Sequence, residues 1–132
     1  MKLAAVALVV CLLGSLPILA LGLVIQVEPK TSECFYQKIT ASSKVAFEYR
    51  VTRGGLLDIN IKVTAPSGRV LHQELHFFRG DDEGVTKFDA EEDGVYSFCF
   101  DNEMSRWTAK VVDFDVISSD KTAEDILSGG KK

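Results

Sequence analysis

Cysteine and tryptophan are scarce in this sequence, cations are outnumbered, and no long helical pattern runs through it. The 132 residues carry 15 Lys and Arg against 19 Asp and Glu, with three cysteines, three prolines and one tryptophan. A formal charge of −4 with no basic face argues against a nucleic-acid binder, which must neutralise phosphates with cations. Before residue 118 no segment sustains a 3.6-residue apolar period, which argues against a helical architecture. No nucleophile motif, phosphate-binding glycine loop or zinc spacing occurs. Catalysis is therefore not expected, and neither is a cofactor or a metal. There is no N-x-S/T acceptor to mark an exposed face by glycosylation.

The longest apolar run lies at the start. Met1 and Lys2 precede Leu3 to Leu13 (LAAVALVVCLL), then Gly14, Ser15 and Pro17 break the run before ILALG. Ala20 and Gly22 stand three and one residues before a cut after Gly22, the small-residue pattern of a signal peptide. The alternative is an uncleaved membrane anchor, since apolar residues continue to Ile25. N-terminal sequencing separates the two, because a mature chain that still begins at Met1 excludes cleavage. Loss of residues 1–22 leaves 110, enough for one domain with a modest core.

Cys11 falls in the leader, so Cys34 and Cys99 remain as an isolated pair in a chain bound for an oxidising compartment. A Cys34–Cys99 disulfide is the default reading, with two buried free thiols as the alternative. A redox role would call for cysteines close in sequence, as in C-x-x-C.

The rest of the chain alternates with a period of two. LVIQVE (23–28), ECFYQKI (33–39), VAFEYRVT (45–52), DINIKVTA (58–65), VLHQELHFF (70–78), VTKFDA (85–90), GVYSFCF (94–100) and WTAKVVDFDVI (107–117) read as strands separated by turn chemistry. In VAFEYRVT, Val45, Phe47, Tyr49 and Val51 share one face. Gly54 and Gly55 suggest a hairpin joining that strand to the next, and Pro66-Ser67-Gly68 supplies a second turn. The expected fold is all-β, an antiparallel β-sandwich of about eight strands over residues 23–117. Residues 118–132 read as a flexible or partly helical tail. In GVYSFCF, Tyr96, Phe98 and Phe100 face one way and Val95, Ser97 and Cys99 the other. Both faces are expected to be covered, the second by the segment around Cys34.

Candidate chemistry is sparse. His72 and His76 share a strand face about 13 Å apart, which reads as exposed histidines rather than a metal site. The clusters Asp81, Asp82, Glu83 and Glu91, Glu92, Asp93 lack the spacing of a calcium loop and read as solvated turns. Of Phe77 and Phe78, one must face the core and the other either packs under a loop or forms a contact. EEDGVYSFC looks at first like an immunoglobulin strand. In that family, however, a tyrosine lies two before the cysteine and a tryptophan lies between the cysteines; here Tyr96 is three before Cys99, and Trp107 follows both.

A different family fits ECFY at 33–36, GGLLDINIKVTAPSG at 54–68 and DGVYSFCFDNEMS at 93–105. With two cysteines after the leader, these stretches resemble the GOLD-domain (Golgi dynamics) cargo receptors, the TMED family of the early secretory pathway. The resemblance spans nearly the whole domain and implies a luminal, disulfide-bonded β-sandwich. It implies binding of protein cargo, notably lipid-anchored proteins, and homo- or hetero-oligomers with related members, in vesicles moving between endoplasmic reticulum and Golgi. Family members continue into a coiled coil, one membrane span and a cytosolic tail read by coat proteins, whereas this sequence ends at Lys132. Truncation of a longer receptor is the expectation, with a soluble luminal variant as the alternative. Lys131 and Lys132, without a preceding span, would face the lumen. LHQELHFFRGDDEG (71–84) matches no motif of the family, which makes Phe78, Asp81, Asp82 and Glu83 a candidate contact loop. The rival reading is a secreted or adhesion-type sandwich with no role in trafficking.

Overall fold

A computed structural model of the chain describes residues 22–78 and 83–120. Residues 1–21 of the expected leader, Asp81, Asp82 and nearly all of the expected tail lie outside the described residues. Eight strands form: β1 (Leu23–Val27), β2 (Ser32–Ile39), β3 (Lys44–Arg53), β4 (Asp58–Thr64), β5 (Val70–Phe77), β6 (Gly84–Asp89), β7 (Gly94–Asp101) and β8 (Lys110–Ser118). They build two four-stranded antiparallel sheets, in the orders β1-β8-β3-β6 and β2-β7-β4-β5. No helix among the described residues is long and apolar enough to cross a membrane.

Period-two alternation creates the core, because each strand sends every second side chain to the same face. Val45, Phe47, Tyr49 and Val51 of β3 meet Ile59, Ile61 and Val63 of β4 and Tyr96, Phe98 and Phe100 of β7, all buried. Aromatic rings join the two layers. Phe47 lies 4.9 Å from Phe98, and Phe114 of β8 lies 5.0 Å from Phe100 and 5.3 Å from Phe35 of β2, centroid to centroid. Tilted and edge-on pairs of this kind add about 0.5–1.5 kcal/mol each beyond their burial.

The turn at Gly54 and Gly55 does not make a hairpin. β3 pairs with β6 and β8, whereas β4 pairs with β5 and β7, so the turn carries the chain from one layer to the other. β3 and β4 each have one largely apolar face, and placing the strands in opposite layers stacks those faces on each other in the core. The layer change needs glycine at Gly54, where φ is 115° and an added Cβ would stand 2.1 Å from the Ala109 carbonyl oxygen. Six of the seven connections between strands change sheet. Only β4–β5 is a hairpin, closed by Gly68 N–H donating to the Ala65 carbonyl at 2.9 Å, with Gly68 at φ 93°.

β7 is an inner strand with β2 and β4 as its neighbours, but only one of its faces is covered. Tyr96, Phe98 and Phe100 enter the core, while Val95 on the other face is exposed and Cys99 is half-buried. The segment around Cys34 lies beside β7 in the same sheet rather than over it, because β2 is spent on backbone pairing. Residues 107–109 stand outside β8, which begins at Lys110.

The loop after β7 is more than a polar rim. Asn102 is fully buried, and its side-chain amide donates to the carbonyls of Val27 at 3.0 Å and Thr108 at 2.9 Å. Its backbone N–H donates to Thr31 and its carbonyl accepts from Lys30. One side chain therefore ties the β1–β2 turn to the β7–β8 loop. Asn102→Ala removes both side-chain bonds and leaves two carbonyls short of a donor. The expected loss is about 1–3 kcal/mol, read as a lower urea midpoint at unchanged m. An unshifted midpoint would show that the amide does not hold these turns.

Candidate functional site

Three features bear on recognition: the disulfide, the side of the sandwich where β5 and β6 run, and the acidic turns. Cys34 and Cys99 face each other directly across β2 and β7 and form the disulfide. It fastens an edge strand to an inner strand of the same sheet, on the outward face, and Cys34 is exposed. Nearby, the opposite edges β1 and β2 leave a depression of about 340 Å³ lined by Ile25, Gln26, Glu33, Cys34, Phe35 and Phe114.

On the β5–β6 side, the residues of the candidate contact loop separate. Asp81 and Asp82 lie outside the described residues, and Glu83 is exposed. Phe78 is only 3 % exposed and packs on His76 at 4.3 Å and Tyr49 at 6.0 Å between ring centroids. A side chain so enclosed offers no contact surface. Its neighbour Phe77, 48 % exposed, is the outward member of the pair.

His72 and His76 are not exposed strand histidines. They face inward with Glu74, opposite Val63, Ile59 and Ile61 of β4. Glu74 Oε1 lies 3.4 Å from His76 Nδ1 and 3.1 Å from His72 Nε2, the latter without hydrogen-bond alignment. From the other sheet, the Tyr49 hydroxyl donates to Glu74 Oε1 at 3.0 Å and lies 3.3 Å from Thr86 Oγ1. Inward-pointing polar residues on edge strand β5 discourage pairing with a stray strand. Among the described residues, no group of three or more His, Cys, Asp and Glu is arranged to hold a metal ion.

Among the described residues, two groups of this cluster have displaced acidities. Burial pushes the Tyr49 hydroxyl from its ordinary 10.0 up to about 12, with the Glu74 carboxylate adding to the rise against an opposing contact from Thr86. Burial also pushes Glu74 upward, but its contacts with His72, Tyr49 and His76 together outweigh this and leave its pKa below 4.5. A carboxylate depressed in the fold contributes stability that is present above its unfolded pKa and is lost as the pH falls through its folded pKa. Below about pH 4.5 the wild type is therefore expected to lose stability more steeply than Glu74→Gln. Urea unfolding across the acid range checks this, and parallel profiles would refute it.

The acidic turn at Glu91, Glu92 and Asp93 is committed to neighbouring turns. Glu91 pairs with Arg69 at 2.9 Å, Glu92 accepts from Ser67 Oγ at 2.9 Å, and Asp93 accepts from the Ala41 N–H at 2.6 Å. Sequence reasoning missed Glu74, Asn102 and Lys110. Only Lys110 left a local trace, since the period of two places it on the face of Val112 and Phe114.

Fold and disulfide together define an antiparallel β-sandwich module fastened along one edge. The family is shown by sequence: the model of the emp24/gp25L/p24 family/GOLD matches residues 22–130, and the chain belongs to that family. Over 108 residues it is 45 % identical to transmembrane emp24 domain-containing protein B of Dictyostelium discoideum, covering 82 % of this chain and 51 % of that protein. Suppressor/enhancer of lin-12 protein 9 of Caenorhabditis elegans is 36 % identical over 92 residues, 70 % of this chain and 43 % of its own length. Transmembrane emp24 domain-containing protein 5 of Mus musculus is 41 % identical over 85 residues, 64 % of this chain and 35 % of its own. The chain thus spans about half or less of these relatives.

Proposed function

We propose that this chain is the luminal recognition domain of a cargo receptor in vesicular transport between endoplasmic reticulum and Golgi, binding protein cargo and related family members. The observation that carries this reading is the family match, which covers the whole sandwich from residue 22 to 130. The structure adds a means. Of the four edge strands, β1, β6 and β2 offer backbone donors and acceptors without the protection that the inward polar residues give β5, and an extended segment can bind such an edge by strand addition. Anchorage belongs to the same proposal and draws on the names of the Dictyostelium discoideum and Mus musculus relatives, which call them transmembrane. Crosslinking and pull-down of the tagged full-length gene product from early secretory membranes tests the reading. Recovery of related family members together with secretory proteins is expected. Exclusive accumulation in the medium, with no early secretory pool, would overturn it.

A further inference from the structure

We propose that the pole of the sandwich formed by the β3–β4 turn and the β7–β8 loop is a membrane-docking tip, which inserts Leu56 and Trp107 into the headgroup region of a bilayer bearing anionic phospholipid. This goes beyond the receptor function and does not depend on it.

Trp107 is 87 % exposed and Leu56 75 % exposed, the two most exposed large apolar side chains among the described residues. They belong to adjoining elements: a Cβ on Gly55, next to Leu56, would lie 3.7 Å from Thr108 Cγ2, next to Trp107. Three further exposed apolar residues border the same corner. Phe77 pairs with Asp58, Leu75 pairs with Asn60, and Met104 Sδ lies 3.9 Å from Asn60 Nδ2. Exposed apolar patches of this kind mark interaction sites.

The shape and charge of the corner favour a bilayer over a protein partner. Leu56 and Trp107 stand on loops at the end of the sandwich, so they project instead of lining a groove. A projecting tip can enter the soft interfacial layer without a preformed pocket. Tryptophan suits that layer because its ring is apolar and its N–H is polar. Arg53 precedes the β3–β4 turn and Arg106 precedes Trp107. Both are exposed, and neither has an ion pair among the described residues. The nearby Asp58 carboxylate is already held by Lys110, which leaves the two guanidinium groups available for lipid phosphates; Glu103 is the exposed carboxylate on the same loop. β8 runs from Lys110 beside this tip to Ser118 at the other pole, so the tip and the end of the last strand lie at opposite ends of the sandwich.

Trp107 is the only tryptophan in the sequence, so its fluorescence reports on the tip alone. The full chain is titrated with vesicles of phosphatidylcholine containing phosphatidylserine, with and without bromine-labelled acyl chains. A blue shift of the emission and quenching by the bromine are expected. Arg53→Gln with Arg106→Gln should weaken this response about thirtyfold, at about fivefold per cation, while circular dichroism stays unchanged. Leu56→Ser should weaken it further. Sedimentation with vesicles while Trp107 emission stays unchanged would place the membrane contact elsewhere and overturn the proposal. So would a blue shift that appears without vesicles and grows with protein concentration, because the tip would then be covered by a second copy.

Discussion

Replacing Cys34 and Cys99 together by alanine is expected to lower the free energy of unfolding by about 4 kcal/mol, the chain-entropy value for a bridge between residues 65 apart in sequence. Folded domains have only about 5–15 kcal/mol in total, so the variant should lie near the edge of folding. The location of the bridge says where the loss appears first. β2 is an edge strand, paired on one side to β7 alone, and it carries few fully buried side chains, with Ile39 at its end and Phe35 half-buried. Without the disulfide, β2 should open ahead of the rest. Hydrogen exchange is expected to accelerate at Glu33 to Lys38 more than at β3 or β4. Reduction of the wild type should reproduce the shift in urea midpoint. A loss below about 1 kcal/mol, with β2 as protected as before, would show that backbone pairing alone holds the edge.

The features legible in the sequence were those set by local pattern. Val45 to Val51, Ile59 to Val63 and Tyr96 to Phe100 alternate strictly, and each sends the expected residues into the core. The disulfide was legible because two cysteines remained once Cys11 was assigned to an expected leader. Sheet membership was not, because the partner of β3 depends on β8, more than fifty residues away in sequence, and the glycines of the turn serve a layer change as well as a hairpin. The orientation of β5 shows a subtler limit. Leu71, Leu75 and Phe77 are its more apolar set and would be read as inward, yet Leu75 and Phe77 are exposed, only Leu71 of the three packs against the core, and His72, Glu74 and His76 take the inward positions. The register shift between Val63 and Thr64 pairs Thr64 with Val70 and Val63 with His72, leaving Leu71 as the extra residue of a bulge. One extra residue changes which face the set occupies. The polar set is tolerated inside because Tyr49 reaches across from the other sheet. The candidate contact loop was affected in the same way: its exposed aromatic is Phe77, and Phe78 belongs to the core.

Asp58→Ala is expected to cost about 3–5 kcal/mol, the range for removing one partner of a buried ion pair, although the change deletes only a small carboxylate. Lys110 is 1 % exposed, and its ammonium donates to Asp58 Oδ1 at 2.8 Å and to the Asp58 carbonyl at 2.7 Å. Loss of the carboxylate strands a cation in the wall of the sandwich with one backbone acceptor. The reverse change, Lys110→Met, should cost less, since it fills the channel with apolar atoms and the Asp58 side chain retains some solvent contact. Its remaining cost is the donor lost to the Asp58 carbonyl. The double variant should then be more stable than Asp58→Ala alone, because the stranded charge is gone and only packing and one hydrogen bond are missing. Urea unfolding of the four proteins as a double-mutant cycle measures the coupling. The pair joins the start of β4 to the start of β8, across the two sheets beside the Gly54–Gly55 turn. A coupling near zero would mean that the ion pair does not fix this layer change, and that glycine geometry and apolar stacking suffice to turn the chain there.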